Sequence, residues 1–94
     1  MALPPHLEPV LVVLRRAYPH GLPDSDYLPL LAVLDPEFSA RNLAVVVAEL
    51  IDGEIAVVDN DAAAVAGYRR PPSAEIERVR RHLLANGYEE EYDD

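Results

Sequence analysis

The run Ser39-Ala40-Arg41-Asn42-Leu43-Ala44-Val45-Val46-Val47-Ala48-Glu49-Leu50-Ile51-Asp52-Gly53 constrains the fold more than any other part of the chain. Leu43, Val46, Val47, Leu50 and Ile51 recur at i, i+3, i+4, i+7 and i+8, one broad face of an α-helix, and Ala44, Val45 and Ala48 keep most of the remaining surface apolar. Such a helix has to be surrounded. Ser39 is placed as its N-cap, Gly53 as the left-handed residue past its end, and the run is too long for a typical buried strand. Only the β-branched stretch Val45 to Val47 pulls the other way, since it lowers helix propensity slightly. The reading is therefore all-α: a compact bundle of five helices around a central apolar helix from about Ser39 to Asp52.

Ninety-four residues make a single domain, 1–94, with one core. Half the residues are apolar, 6% are aromatic and Trp is absent, so Leu, Val, Ile and Ala must fill the interior. The absence of Cys excludes a disulfide framework, a thiolate zinc site and a cysteine nucleophile. A formal charge of −9 repels phosphate backbones and anionic membranes. All eight basic residues are Arg, and Lys, Thr and Gln are missing, a usage that points to coding bias more than to a physical requirement. The apolar run Val10 to Leu14 is too short to span a bilayer, and Arg15 and Arg16 follow it where a signal peptide would have its charges in front. A cytoplasmic protein is expected.

Residues 1–6, with Pro4 and Pro5, read as an irregular lead-in. The first helix should begin near Leu7, because Pro9 is tolerable only in a first turn; Leu7, Val10, Leu11, Leu14, Ala17 and Tyr18 form its inward stripe. Pro19 and Gly21 end it. Asp24, Ser25 and Asp26 are three successive candidate N-caps for a second helix carrying Tyr27, Leu28, Leu30, Leu31 and Leu34, in which Pro29 demands a start no earlier than Ser25. After the central helix, Glu54 to Val58 reads as an extended connector, and Asp59-Asn60-Asp61 either caps a short Ala-rich helix over Ala62 to Tyr68 or turns a hairpin. Alanine favours the helix. Ser73 is placed to cap a last helix with Ile76, Val79, Leu83 and Leu84 inward, which Asn86-Gly87 stops. Residues 89–94 form an acidic tail, expected to be mobile.

Few residues carry chemistry. Ser25, Ser39 and Ser73 each precede a helical pattern and none lies in a nucleophile motif. His6, His20 and His82 are far apart, although His20 lies near Asp24 and Asp26. Asp59-Asn60-Asp61 lacks the later ligands of a calcium loop. No cofactor, metal or small-molecule ligand is indicated, and a non-enzymatic protein is expected. The concentrated feature is basic: Arg69, Arg70, Arg78, Arg80 and Arg81, with Arg78 and Arg81 one turn apart on the last helix. Pairing within the chain to Glu75, Glu77 or the acidic tail, docking of an acidic protein partner, and a nucleic-acid contact all compete for them. Arg69, Arg70, Arg78 and Arg81 are the candidate partner-binding residues of an interaction or regulatory module. The alternative is a weak nucleic-acid-binding, helix-turn-helix-like regulator using the second and central helices, but the latter's polar positions are only Arg41, Asn42, Glu49 and Asp52.

The turn Tyr18-Pro19-x-Gly21-Leu22-Pro23-x-x-Asp26, followed by Leu30-Leu31-x-x-Leu34 and Ser39, then Glu49-Leu50, Pro72-Ser73, Ile76 to Arg80 and Gly87-Tyr88, resembles a small actinobacterial family, found chiefly in mycobacteria and rhodococci. That family is catalogued only as a domain of unknown function. The resemblance covers roughly residues 10 to 88 and implies a five-helix bundle with a short helix near Asp61 to Tyr68. It implies no activity, ligand or active site. Pro9, Pro29 and a short connector after Gly53 depart from the family pattern.

Overall fold

The computed structural model describes residues 3–89. Five α-helices follow one another: α1 (Glu8–Ala17), α2 (Asp24–Leu34), α3 (Ala40–Ile51), α4 (Ile55–Ala66) and α5 (Ser73–Ala85), with 3₁₀ turns at Pro5–Leu7 and Asp35–Glu37 and no strand among the described residues. The lead-in is thus partly regular: Leu7 N–H donates to Pro4 O at 2.9 Å, and this turn carries the fully buried Leu7 under α1. Residues 1, 2 and 90–94, and with them most of the acidic tail, lie outside the described residues.

All five helices contribute to one apolar cluster. The run Leu43 to Ala48 of α3 is buried without a break, as its composition requires, and α3 lies against α1 and α4. Helix α2 is enclosed almost as fully, burying Pro29, Leu30, Leu31, Ala32 and Leu34 between α4 and α5. Enclosure has limits at the helix ends. Ile51 is 37% exposed and Leu84 38% exposed, although both fall on stripes that read as inward.

Helix boundaries show which signals the chain obeys. Ser39 caps α3 as its position demands, its Oγ accepting from Asn42 N–H at 3.2 Å. At the other end Asp52, not Gly53, takes the left-handed conformation (φ 54°, ψ 43°), and Gly53 N–H closes onto Ala48 O at 2.9 Å. That tight closure removes the expected connector. Helix α4 begins already at Ile55, with Glu54 O accepting from Val57 and Val58 N–H, so Asp59-Asn60-Asp61 is neither cap nor hairpin turn but mid-helix. Its buried residues are Val58, Ala62, Ala64 and Val65, with Val58, Ala62 and Val65 at i, i+4 and i+7.

Asp24, Ser25 and Asp26 also fail as caps, because α2 starts one residue earlier than Pro29 would prefer and Pro23 occupies the cap position with no side-chain bond. Pro29 consequently sits inside the helix, where it can donate nothing to the carbonyl of Ser25. Ser73 is the first residue of α5 behind Pro72, whose carbonyl accepts from Glu75 and Ile76 N–H. Gly87 does stop α5: at φ 98° it lets Tyr88 N–H return to Leu83 O at 3.0 Å.

Candidate interaction surface

Placing the arginines begins with an acid. Asp26 lies in the first turn of α2 and turns inward, only 6% exposed. Tyr18, at the end of α1, donates its hydroxyl to Asp26 Oδ2 at 2.9 Å; Arg78 of α5 donates from Nη2 to Oδ1 at 2.8 Å; Ser25 Oγ donates to the same oxygen at 3.3 Å. Burial alone would push the Asp26 carboxyl up. The bonds from Arg78 and Tyr18, the guanidinium charge and the Ser25 hydroxyl outweigh it and hold the group below the usual carboxylate range. Burial, and then the bond to Asp26, push the Tyr18 hydroxyl far above its ordinary value, so it stays a neutral donor.

The node extends into α5. His82 Nε2 bonds Ala17 O at 2.7 Å, a carbonyl that can only accept, so the proton lies on that nitrogen. Its ring sits 5.0 Å from the Tyr18 ring, tilted by 58°. One buried carboxylate therefore pins the end of α1, the start of α2 and the middle of α5.

Arg78 is thus the keystone of a tertiary contact, and it also bonds Glu75 at 3.2 Å and 3.4 Å. Arg80 and Arg81 share one oxygen of Glu77, at 3.0 Å and 3.4 Å, with Arg81 still 76% exposed at its side chain. Arg69 and Arg70 differ. Both are exposed in the loop between α4 and α5, and among the described residues neither closes an ion pair. They line two different shallow grooves. Arg69 borders one of about 260 Å³ walled by Leu28, Pro29, Pro71 and Pro72, with Asp24 and Glu75 at its rim. Arg70 borders one of about 230 Å³ walled by Val33, Pro36, Ile76 and Tyr88, with Arg80 and Glu37 beside it.

A second polar bridge lies between α2 and α4, where Tyr27 donates its hydroxyl to Asp61 Oδ2 at 2.7 Å. Burial, and then Asp61, push that hydroxyl upward as well. Leu22, Ile51 and Val57 surround it as a shallow, partly apolar depression with Asp24. His20 is exposed in its turn, and the carboxylate of Asp26 near it in sequence is engaged by Tyr18 and Arg78 instead. No three His, Asp or Glu side chains converge as a metal-binding group among the described residues, and no helix there is long and apolar enough to cross a membrane. In α3, Arg41 and Glu49 are exposed and Asn42 is half-buried, with Glu49 4.0 Å from Arg15.

The fold and surface define a small all-α bundle with a buried carboxylate–tyrosine–arginine node and an Arg-bearing loop between its last two helices. The chain belongs to the family described as a protein of unknown function (DUF3349), whose model matches residues 5–92. No curated protein and no solved structure matches it.

Proposed function

We propose that this protein is a non-enzymatic interaction or regulatory module that docks an acidic segment of a protein partner at the loop between α4 and α5. The observation that carries this is the state of Arg69 and Arg70, two exposed cations with no ion pair among the described residues, held ahead of the stiff Pro71-Pro72 and each bordering an apolar groove. Arginine is suited to the task, because its planar guanidinium bonds a carboxylate in two places and is weakly hydrated. Arg81 adds an exposed charge on α5. Arg78 contributes at the edge while holding Asp26.

A cytoplasmic location and the actinobacterial source implied by the sequence resemblance belong to the same proposal. Arg-only basic usage supports the source, as the product of a biased code.

Substituting all four arginines would confound binding with folding, since Arg78 belongs to the core node. The test is affinity capture from native lysate with wild type and with R69S/R70S, after equal thermal melts are shown for the two. A protein recovered by wild type and lost with the double variant, and released by added salt, is the expected result. Equal recovery of every captured protein overturns the reading.

A further inference from the structure

We propose that the depression between the end of α3, the start of α4 and the first turn of α2 docks a basic amphipathic segment of a protein partner, with an apolar side chain seated between Ile51 and Val57 and flanking cations on Asp24 and Asp61. The local sequence builds the floor. Asp52 takes the left-handed conformation and Gly53 N–H closes onto Ala48 O, so α3 and α4 turn back on each other and Ile51 and Val57 come to line one concavity of about 420 Å³ with Leu22 and Tyr27. Both are large aliphatic side chains left in water, 37% and 55% exposed. A single exposed aliphatic residue is ordinary, whereas two that line the same concavity lose apolar surface together when a third side chain enters.

The rim selects the charge of the guest. Asp24 and Asp61 line the depression, and among the described residues no cation does. Asp61 Oδ2 accepts from the Tyr27 hydroxyl at 2.7 Å, which orients the carboxylate while Oδ1 keeps its lone pairs for another donor. Asp24 is exposed and closes no ion pair among the described residues. Asp52 and Glu54, exposed in the turn that joins Ile51 to Val57, deepen the negative potential, and the formal charge of −9 adds to it over distance. Nucleic acids and anionic membranes are repelled, and a second copy of this chain carries the same charge and is repelled too. Arginine or lysine flanking an aliphatic anchor, spaced as on one face of a helix, satisfies both floor and rim.

This surface is separate from the acidic-partner site and opposite to it in sign. Arg69 stands on the border: its backbone N–H is bonded to Ala64 O at 2.8 Å, at the end of α4, and its charge opposes the upward push on the Tyr27 hydroxyl. It therefore repels a cationic guest, so Arg69→Ser should tighten this contact, whereas loss of the same charge weakens an acidic one.

The probe is a helical peptide of about twelve residues made of Leu, Ala and Arg, with Leu on one face and Arg flanking it; its counterpart carries Glu in place of Arg. Methyl NMR of the full-length protein should show saturable shifts at Leu22, Ile51 and Val57 with the Arg peptide, while buried Leu43 stays unmoved. D24N/D61N, in which an amide oxygen still accepts from Tyr27, should weaken binding about fivefold, each exposed charge pair being worth roughly twofold. E8Q/E49Q removes as much charge outside the depression and should change the affinity by less than about twofold. Val57→Ser should weaken binding about threefold through lost apolar contact, and Arg69→Ser should strengthen it about twofold. Equal shifts with the Glu peptide, equal losses in D24N/D61N and E8Q/E49Q, or no shift at millimolar peptide overturns the proposal, whatever the capture experiment with R69S/R70S returns. Shifts of the same methyls with protein concentration alone, the mark of a second copy in the depression, overturn it as well.

Discussion

Asp26 gathers Tyr18, Ser25 and Arg78 onto one buried carboxylate. Removing its side chain in Asp26→Ala leaves the buried Tyr18 hydroxyl without its acceptor, a penalty of about 1–3 kcal/mol. Urea unfolding should show that loss, while Tyr18→Phe, which removes the donor and leaves Arg78 and Ser25 on the carboxylate, should cost only about 1 kcal/mol. The pH dependence has a definite sign. The Asp26 carboxyl is held below its unfolded value of about 3.9, so the unfolded chain binds more protons in that range. Its contribution is complete above about pH 4 and disappears as the pH falls through the lowered folded value. Asp26→Asn should flatten the acid limb of the stability curve, measured as thermal midpoints between about pH 2.5 and 6; an unchanged limb would show that other carboxylates carry it. Little of this was legible in the sequence. Asp24, Ser25 and Asp26 are equally good caps when only neighbours are considered, and what distinguishes Asp26 is Arg78, fifty-two positions away.

At the level of elements, the α-helical class, the Ser39 cap and the Gly87 stop were all readable, because each follows from local chemistry: periodicity, a hydroxyl aimed at a free N–H, a residue without a Cβ. Helix α4 was expected and is present, but it starts at Ile55, seven residues before the expected Ala62. Asp59-Asn60-Asp61 offers three polar residues of the capping type in a row, and it outweighed Val58, Ala62 and Val65, whose helical spacing was present but sparse. What tips the balance is tertiary: Asp61 has Tyr27 for a donor, Asp59 and Asn60 face solvent, and α3 already turns back at Asp52. One substitution separates the alternatives by sign. Asn60→Ala in an exposed helix interior should stabilise by up to about 0.7 kcal/mol through propensity, whereas loss of a capping residue would cost about 1 kcal/mol. Val58→Ala should cost about 2 kcal/mol from lost apolar burial, which an extended, solvated connector would not. Chemical denaturation of the two variants decides between the two pictures.

At the scale of the molecule, an almost wholly aliphatic core works against a large unbalanced surface charge. The core is cooperative: Leu43 is fully buried on α3, and Leu43→Ala should cost about 2–5 kcal/mol, while Val12→Ala, at a position 56% exposed, should change little. The charge acts over distance. A net charge of −9 in a body of 32 × 29 × 26 Å is felt across the whole fold at 10 mM salt, where the screening length is about 30 Å. Against it stand the attractive pairs of α5, of which Glu77 with Arg80 and Arg81 is exposed and worth little, and Asp26 with Arg78 is half-sheltered and less easily screened. Repulsion therefore loses more to salt than attraction does, and the thermal midpoint should rise as NaCl is taken from about 10 mM to about 200 mM. A midpoint that falls over that range would mean that the surface ion pairs of α5, rather than the long-range repulsion, dominate the electrostatic balance of the fold.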